Sequence, residues 1–381
     1  MGHAFLHQDD AGSNADGTLA GAHPAGFVRG RGAPINPTGR FERVSLSVDG
    51  EYLDAELRER PDGRAIATTV REDHARTIIN PVDSPDLHFK WTINPYRGCE
   101  HGCVYCYARP GHEYLGLSPG IDFESIIFAK RDAAALLRDE LSAPSWKPET
   151  IVMSGVTDPY QPVERELGIT REILGVLEEC RQPVSIITKS ALILRDLDLI
   201  SSLHEHRAVH VAISVTTLDN GLASKLEPRA SSPAARLEAI RRISAIGVPV
   251  AVMVAPVIPA ITDHEIPAIL RAAADAGATS AGTILLRLPH QNKEIFRAWL
   301  DRHFPDRADR VESLLRQCHG GELYRATPGE RFTGTGPVAD QIRRAFQLFA
   351  ARANLDRRSP PHNRDAFRPP RSNGRGQFSL F

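Results

Sequence analysis

Residues 89–106, FKWTINPYRGCEHGCVYC, join a short apolar run to three closely spaced cysteines. The run FKWTIN (89–94) has the aromatic and β-branched content of a buried strand. Cys99, Cys103 and Cys106 follow it with the spacing C-x3-C-x2-C. We therefore expect the cysteines in the loop after the first strand, the place where proteins built from parallel strands carry their chemistry.

Five further apolar runs follow, and segments with helical periodicity separate them. They are TIVMSG (150–155), PVSIITK (183–189), VHVAISVTT (209–217), PVAVMVAP (249–256) and TSAGTILLRL (279–288). Six strands that alternate with helices predict a parallel sheet with right-handed crossovers. The periodicity leaves two arrangements open, a doubly wound sheet and a partial barrel.

Composition and segment boundaries predict the organisation of the chain. The 381 residues carry a net charge of -1 and five cysteines, which excludes a secreted disulfide framework and gives no global argument for an anionic partner. No signal peptide or transmembrane stretch is visible, so we expect a cytoplasmic protein with no membrane partner. The predicted units are a disordered arm (1–48), an extension to the core (49–88), the core (89–290), a helical C-terminal extension (291–355) and a basic disordered tail (356–381).

Three thiolates at this spacing can surround one metal centre. A zinc site would need a fourth ligand, such as the distant Cys180 or Cys318 or the nearby His101. A [4Fe-4S] cubane needs only three cysteines and leaves one iron for a non-protein ligand. The residues alone favour the cluster. A zinc-binding or redox-thiol interaction module without radical chemistry is the alternative.

The stretch NPYRGCEHGCVYCYAR (94–109) resembles the cluster loop of the radical S-adenosylmethionine (SAM) superfamily. It is most similar to the branch with spore photoproduct lyase and "DNA repair photolyase-like" proteins. The similarity continues through SGVTDPYQPVE (154–164), TKS (188–190), VAISVTT (211–217), LEPRASSPAARLEAI (226–240) and VMVAPVIPAITDHEI (252–266). This resemblance implies a partial (β/α)6 barrel of parallel strands with a helical C-terminal extension and disordered termini.

The resemblance also implies a cofactor chemistry. Cys99, Cys103 and Cys106 would bind a [4Fe-4S] cluster, and SAM would chelate the fourth iron through its amino and carboxylate groups. An external electron donor of the flavodoxin or ferredoxin type would reduce the cluster, so that SAM is cleaved to a 5'-deoxyadenosyl radical. Tyr105 matches an aromatic residue that lies near the adenine in such enzymes.

Further SAM contacts follow from the same resemblance. At the tip of the second strand, the backbone and the Thr157 hydroxyl would accept hydrogen bonds from the methionyl amino group, and Asp158 would complement its charge. Lys189 and Ser214 match residues that bind the carboxylate and ribose region, with Arg229 as a second candidate for the carboxylate. The predicted cofactor-binding residues are Tyr105, Ser154, Gly155, Thr157, Asp158, Lys189, Ser214 and Arg229.

One departure from the branch limits the implied reaction. Spore photoproduct lyases place a hydrogen-donating cysteine where this chain has Gly155, so the resemblance does not imply lyase activity itself. Tyr107 follows the third cysteine, as does a tyrosine proposed to relay the radical in those lyases, and it is a candidate catalytic residue. Packing beside the cluster is the alternative role for Tyr107.

The C-terminal tail gives two expectations about partners. It is rich in arginine, which favours a nucleic-acid substrate. Its last residues, Gln377, Phe378, Ser379, Leu380 and Phe381, resemble the short peptide by which bacterial repair and replication proteins dock on the sliding clamp. A glutamine and two terminal apolar side chains on a flexible segment suit capture by a hydrophobic groove.

Overall fold

A computed structural model describes the backbone of residues 22–24 and all of residues 30–41 and 66–370. The predicted arm, the N-terminal extension and the basic tail are therefore described in part. The predicted clamp-docking peptide, residues 377–381, lies outside the described residues.

The described chain contains twelve strands and eleven α-helices. The strands are β1 (Ala22–Pro24), β2 (Ile35–Pro37), β3 (Thr69–Glu72), β4 (Ile79–Pro81), β5 (Trp91–Ile93), β6 (Tyr96–Arg97), β7 (Ile126–Ala129), β8 (Ile151–Met153), β9 (Val184–Thr188), β10 (Val209–Ser214), β11 (Val250–Val257) and β12 (Ser280–Leu285). The helices are α1 (Ile121–Ser125), α2 (Ala133–Leu141), α3 (Glu164–Leu167), α4 (Ile169–Cys180), α5 (Leu197–Glu205), α6 (Asn220–Leu226), α7 (Pro233–Ala245), α8 (Ile266–Asp275), α9 (Asn292–His303), α10 (Ala308–Cys318) and α11 (Gly336–Arg352). Short 3-10 helices span Arg109–Leu115, Ala191–Asp196, Asp263–Glu265 and Pro305–Arg307.

The main sheet has the strand order β12-β11-β10-β9-β8-β5-β4. Only β4 is antiparallel to its neighbour, and the remaining pairs are parallel. The six parallel strands thus follow one another in sequence order, whereas a doubly wound sheet reverses its order at a switch point. This topology confirms the predicted six-stranded α/β partial barrel, with every predicted strand in its predicted segment.

The side chains of the parallel strands divide between two faces with the period of two expected for strands. In β9, Val184, Ile186 and Thr188 are buried, while Ser185 and Ile187 are only partly covered. The buried face packs against the helices, and α4, which contributes Ile173, Leu174 and Leu177 to the core, belongs to that layer. The less covered face lines the inside of the barrel, where the site lies.

Residues 30–41 pack onto the core, although the sequence predicts disorder there. The buried Glu124 carboxylate accepts hydrogen bonds from the backbone N–H groups of Gly32 and Ala33, each at 2.8 Å, and from Arg109 at 2.5 Å. Any side chain at Gly32 would collide with the loop, because its Cβ would lie 1.7 Å from the carbonyl oxygen of Gly102. A buried carboxylate and a close backbone approach therefore hold this part of the arm against the cysteine loop.

Residues 356–370 also make defined contacts, again where the sequence predicts disorder. The backbone N–H groups of Asn363 and Arg368 donate to the carbonyls of Arg207 and Cys180, at 3.0 and 2.8 Å. The ring of His362 stacks on His210, with the centroids 3.8 Å apart. The contacted residues precede or begin β9 and β10, so this segment crosses the N-terminal ends of those strands.

None of the helices in the described ranges is long and apolar enough to cross a membrane.

The histidine stack gives a testable pH dependence. Burial, followed by the nearby His210, lowers the pKa of His362 to about 3, whereas an unfolded histidine titrates near pH ~6.5. The neutral form is favoured by folding, so this contribution to stability is complete above pH ~6.5 and is lost as the pH falls towards 3. Between pH 7 and pH 5 we expect the wild type to lose about 2 kcal/mol of stability that His362→Gln does not lose.

Thermal unfolding of both proteins at pH 7 and pH 5 measures this loss. His74→Gln removes a histidine whose side chain is 83% exposed and serves as the control. An equal fall in melting temperature for the wild type and His362→Gln would contradict the assignment.

Candidate functional site

The three cysteines lie in a tightly turned loop that follows β5 and the two-residue strand β6. The loop turns at Gly98 and Gly102, which have φ angles of 81° and 65°, a region that favours glycine. Gly98 also has no room for a side chain, because its Cβ would approach the carbonyl oxygen of Phe123 to 2.9 Å. The N–H of Cys99 donates to that carbonyl at 2.9 Å. The sequence pattern of glycines and cysteines therefore sets the path of the loop.

All three cysteines are free thiols that line one cavity of 210 Å³. Cys99 and Cys103 are buried and Cys106 is partly buried. Burial is the main cause that raises the pKa of each thiol above its ordinary value, so thiolates here need a cationic centre to stabilise them.

A second segment runs beside the cysteine loop and supports it. The N–H of Val104 donates to the carbonyl of Leu226 at 3.0 Å, and the N–H of Arg229 donates to the carbonyl of His101 at 3.2 Å. Between them, the buried carboxylate of Glu227 accepts hydrogen bonds from Tyr105 and Thr216 and pairs with the buried Arg236. Burial alone would raise the pKa of Glu227, but Arg236 and Lys189 lower it to about 2.

The Glu227 network explains how Tyr105 is oriented. Its hydroxyl is fixed below the loop, and its ring lines the cavity with the Lys189 ammonium 5.8 Å from the ring centroid. The sequence assigned Tyr105 and Lys189 to the same cofactor, and the structure brings both to one cavity.

The tip of β8 forms the wall of the cavity opposite the cysteine loop. Ser154 has a φ of 93°, and the amide oxygen of Asn94 accepts the N–H groups of Gly155 and Val156 at 2.8 and 2.9 Å. The Ser154 hydroxyl donates to the carbonyl of Thr157 at 2.7 Å. Ser154, Gly155 and Thr157 all line the cavity, as expected for a strand tip next to the cysteine loop.

Thr157 and Asp158 make more hydrogen bonds to other protein groups than the sequence predicts. The Thr157 hydroxyl donates to the carbonyl of Gly98 at 2.6 Å. The Asp158 carboxylate accepts hydrogen bonds from the Thr188 hydroxyl at 2.7 Å and from the N–H of Lys189 at 2.8 Å. It also lies 3.4 Å from the ring of His101. These two residues tie the cysteine loop, β8 and β9 together, which is a positioning role.

The ionisation of Asp158 reflects those contacts. Burial by itself would raise the pKa of this carboxyl, but His101 and the hydrogen bonds from Thr188 and Lys189 lower it to about 2. His101, inside the cysteine loop, is thereby a partner of Asp158.

Lys189 and Ser214 present their polar ends to the cavity. Both line it, and within the described ranges neither the Lys189 ammonium nor the Ser214 hydroxyl has a protein hydrogen-bond partner. Arg229 differs, because it pairs with Glu100 at 2.9 Å and donates to Thr68 at 3.1 Å. It lines a separate pocket, so the structure does not support the prediction that Arg229 contacts the same cofactor.

Tyr107 and Arg287 close the side of the cavity between the first and last parallel strands. The Tyr107 hydroxyl donates to the carbonyl of Gly155 at 2.5 Å, and the guanidinium carbon of Arg287 lies 4.9 Å from the Tyr107 ring centroid. Sequence reasoning missed Arg287. The available signal was a lone charge at the C-terminal end of the apolar run TSAGTILLRL, the end at which barrel enzymes place functional side chains.

Comparison with known proteins places this geometry in a family. The sequence profile described as "Radical SAM superfamily" matches residues 93–273. An uncharacterised protein of Mycobacterium bovis is 39% identical over 252 residues, which cover 65% of this chain and 74% of the relative. An uncharacterised protein of Methanocaldococcus jannaschii is 30% identical over 191 residues, covering 50% and 68%.

Solved structures give the same fold. A spore photoproduct lyase with dinucleoside spore photoproduct aligns over 83% of this chain and 86% of its own, with a TM-score of 0.53 and 16% identity. A further mutant of spore photoproduct lyase aligns with the same TM-score at 15% identity. The chain is a member of the radical SAM superfamily, and its fold is that of the spore photoproduct lyase structures.

Proposed function

We propose that this protein is a radical SAM enzyme that binds a [4Fe-4S] cluster through Cys99, Cys103 and Cys106 and cleaves SAM reductively in the adjoining cavity. The observation that carries the proposal is the convergence of three free thiols on the cavity that also receives Lys189 and Ser214. Membership of the superfamily supports the same chemistry.

The donor set fits a cubane. Within the described ranges, no three Cys, His, Asp or Glu side chains are grouped closely enough to hold a single metal ion. A cubane uses its ligands differently, because each of three irons takes one thiolate. The three thiols lie in one loop whose backbone is anchored by Phe123 and Leu226 and whose Tyr105 hydroxyl donates to Glu227, so their positions are set before a cluster binds.

The cavity beside the thiols has the groups that SAM requires. Lys189 supplies a cation for the carboxylate, Ser214 supplies a hydroxyl, and the ring of Tyr105 supplies an aromatic face for the adenine. The carbonyl oxygens at the tip of β8 are acceptors for the methionyl amino group. Thr157 and Asp158 act through the backbone that they hold in place, rather than by binding this amino group themselves.

Apolar side chains complete the reaction chamber. When bound, the cluster supplies the electron that converts SAM into methionine and a 5'-deoxyadenosyl radical. Ile187, Met253 and Ile284 line the same cavity, where they exclude water and protect a reactive species from unwanted quenching. Tyr107, at the edge of this space, is a candidate for a redox or packing role.

For the substrate we propose a nucleic acid. The named relative with a bound dinucleoside, and the arginine-rich tail of this chain, support that class. Gly155 has no thiol that could donate hydrogen, so we do not assign spore photoproduct lyase activity.

We further propose a flavodoxin- or ferredoxin-type electron donor, a cytoplasmic location consistent with five free cysteines, and clamp docking through residues 377–381.

Anaerobic reconstitution tests the proposed function against the zinc or redox-thiol alternative. We expect a brown protein with about four irons per chain and absorption near roughly 400 nm, which forms 5'-deoxyadenosine from SAM when reduced. Stoichiometric zinc, without iron and without 5'-deoxyadenosine, would establish the alternative.

A further inference from the structure

Arg287 is a cation at the edge of the cavity. It lies two residues beyond the end of β12, and no described residue forms a hydrogen bond with its buried Nε. Within the described ranges, its guanidinium makes no ion pair with a carboxylate. Two other arginines near the cysteine loop behave differently, since Arg229 pairs with Glu100 and Arg236 pairs with Glu227.

Aromatic rings hold the Arg287 guanidinium in place. Its central carbon lies 4.6 Å from the ring centroid of Phe332, 4.9 Å from that of Tyr107 and 5.9 Å from that of Tyr324. Rings favour a nearby guanidinium and limit its motion, but they do not replace the hydrogen bonds that its N–H groups make in water. The side chain is therefore oriented and incompletely satisfied, which is the state of a group that awaits an oxyanion.

The position of Arg287 connects this cation to the reaction. Tyr107 belongs to the cysteine loop and touches both Arg287 and the tip of β8. Asn292, at the start of α9, donates to the carbonyl of Cys106 at 2.7 Å and fixes the chain that follows Arg287 against that loop. A ligand group bound at Arg287 thus lies on the same cavity as the three thiols.

The surroundings favour a nucleic acid over an acidic peptide. Tyr324 and Phe332 belong to the connection between α10 and α11, are only partly covered, and flank the guanidinium. The same connection carries the exposed Arg325. Aromatic faces interleaved with arginines are the pattern that binds single strands, in which bases stack on rings and phosphates meet cations. A carboxylate ligand would use only the guanidinium, whereas a nucleic acid would also use the partly covered rings of Tyr324 and Phe332.

We propose that Arg287 binds a phosphate group of a single-stranded nucleic-acid substrate at the mouth of the cavity, with Tyr324 and Phe332 as stacking faces for its bases. This inference rests on the proposed function, because it assigns residues of this site to the nucleic-acid substrate proposed there. Arg287 is then the residue that positions the substrate relative to the cofactor.

Fluorescence anisotropy with a labelled oligothymidylate of about 12 nucleotides tests the inference on the anaerobically reconstituted protein. Arg287→Gln should bind about 10-fold more weakly, and the slope of log affinity against log salt should fall in magnitude by about 0.7, the value for one lost phosphate contact on a single strand. Arg287→Lys should keep the salt slope and show an intermediate affinity. Arg271→Gln, which removes an exposed arginine of α8, should bind as the wild type does.

The outcomes separate this inference from the proposed function. Iron content confirms that each variant is folded and loaded. Wild-type affinity and salt slope in Arg287→Gln would overturn the inference, as would displacement of the oligonucleotide by an equal charge concentration of poly-glutamate. If the wild type forms 5'-deoxyadenosine but binds no oligonucleotide, the inference and the proposed nucleic-acid substrate fail, and the proposed cleavage of SAM stands. If it holds neither iron nor SAM-cleaving activity, the proposed function fails.

Discussion

Cys103→Ala should abolish iron binding and the reductive cleavage of SAM. Cys103 is 8% exposed and lines the cavity together with Cys99 and Cys106. Two remaining thiolates cannot hold a cubane that leaves one iron open, because the cluster then has two irons without protein ligands. We expect the iron content after reconstitution to fall from about four per chain to near zero, and 5'-deoxyadenosine formation to fall to background.

A second cysteine provides the matched control. Cys318 is fully buried, packs with Leu285 and Ala339, and does not line the cavity. Cys318→Ala should lower the melting temperature modestly while retaining iron and SAM cleavage. Full iron content and unchanged 5'-deoxyadenosine formation in Cys103→Ala would overturn the cluster assignment.

Glu227→Gln should produce the largest loss of stability. The Glu227 and Arg236 side chains are 0% and 1% exposed, and removing one member leaves the other charge buried without compensation. Such changes cost about 3–5 kcal/mol. The same substitution weakens the acceptor of the Tyr105 hydroxyl, so the loop that carries the cysteines should also loosen.

Thermal unfolding of the anaerobic holoprotein and hydrogen exchange of residues 99–106 measure the two effects. Glu238, which pairs with Arg241 on the surface with side-chain exposures of 49% and 59%, gives the control. Glu238→Gln should change stability by less than about 0.5 kcal/mol. The double change Glu227→Leu with Arg236→Met should be less harmful than Glu227→Gln, since no buried charge is stranded. Equal stability of Glu227→Gln and wild type would show that the ion pair does not hold the loop.

The barrel could be predicted from the sequence because its signals are local. Each of the six parallel strands is a short apolar run such as PVSIITK, and each crossover helix has its own apolar face. The sequential strand order then follows from the alternation of strands and helices together with right-handed crossovers. The cysteine loop was equally visible, because its cysteines and its glycines lie within nine residues of one another.

The contacts that the sequence did not reveal join distant segments. Gly32 meets Gly102 through a backbone approach that no local pattern encodes. His362 meets His210, and its segment was expected to be disordered on composition alone. Glu227 and Arg236 are charged residues that would ordinarily be placed on the surface, and only the fold shows them buried together. Arg287 acquires its surroundings from Tyr107, Tyr324 and Phe332, which two separate parts of the chain supply.

Electron paramagnetic resonance of the reduced, reconstituted protein, recorded with and without SAM, is the most direct test of whether this protein binds SAM at a [4Fe-4S] cluster. SAM that chelates the open iron changes the ligand field of the cluster. We expect a [4Fe-4S]+ signal whose g values shift on addition of SAM. The signal should be absent in Cys103→Ala and present in Cys318→Ala. A cluster signal that SAM leaves unchanged in the wild type, or no iron signal in a folded protein, would contradict it.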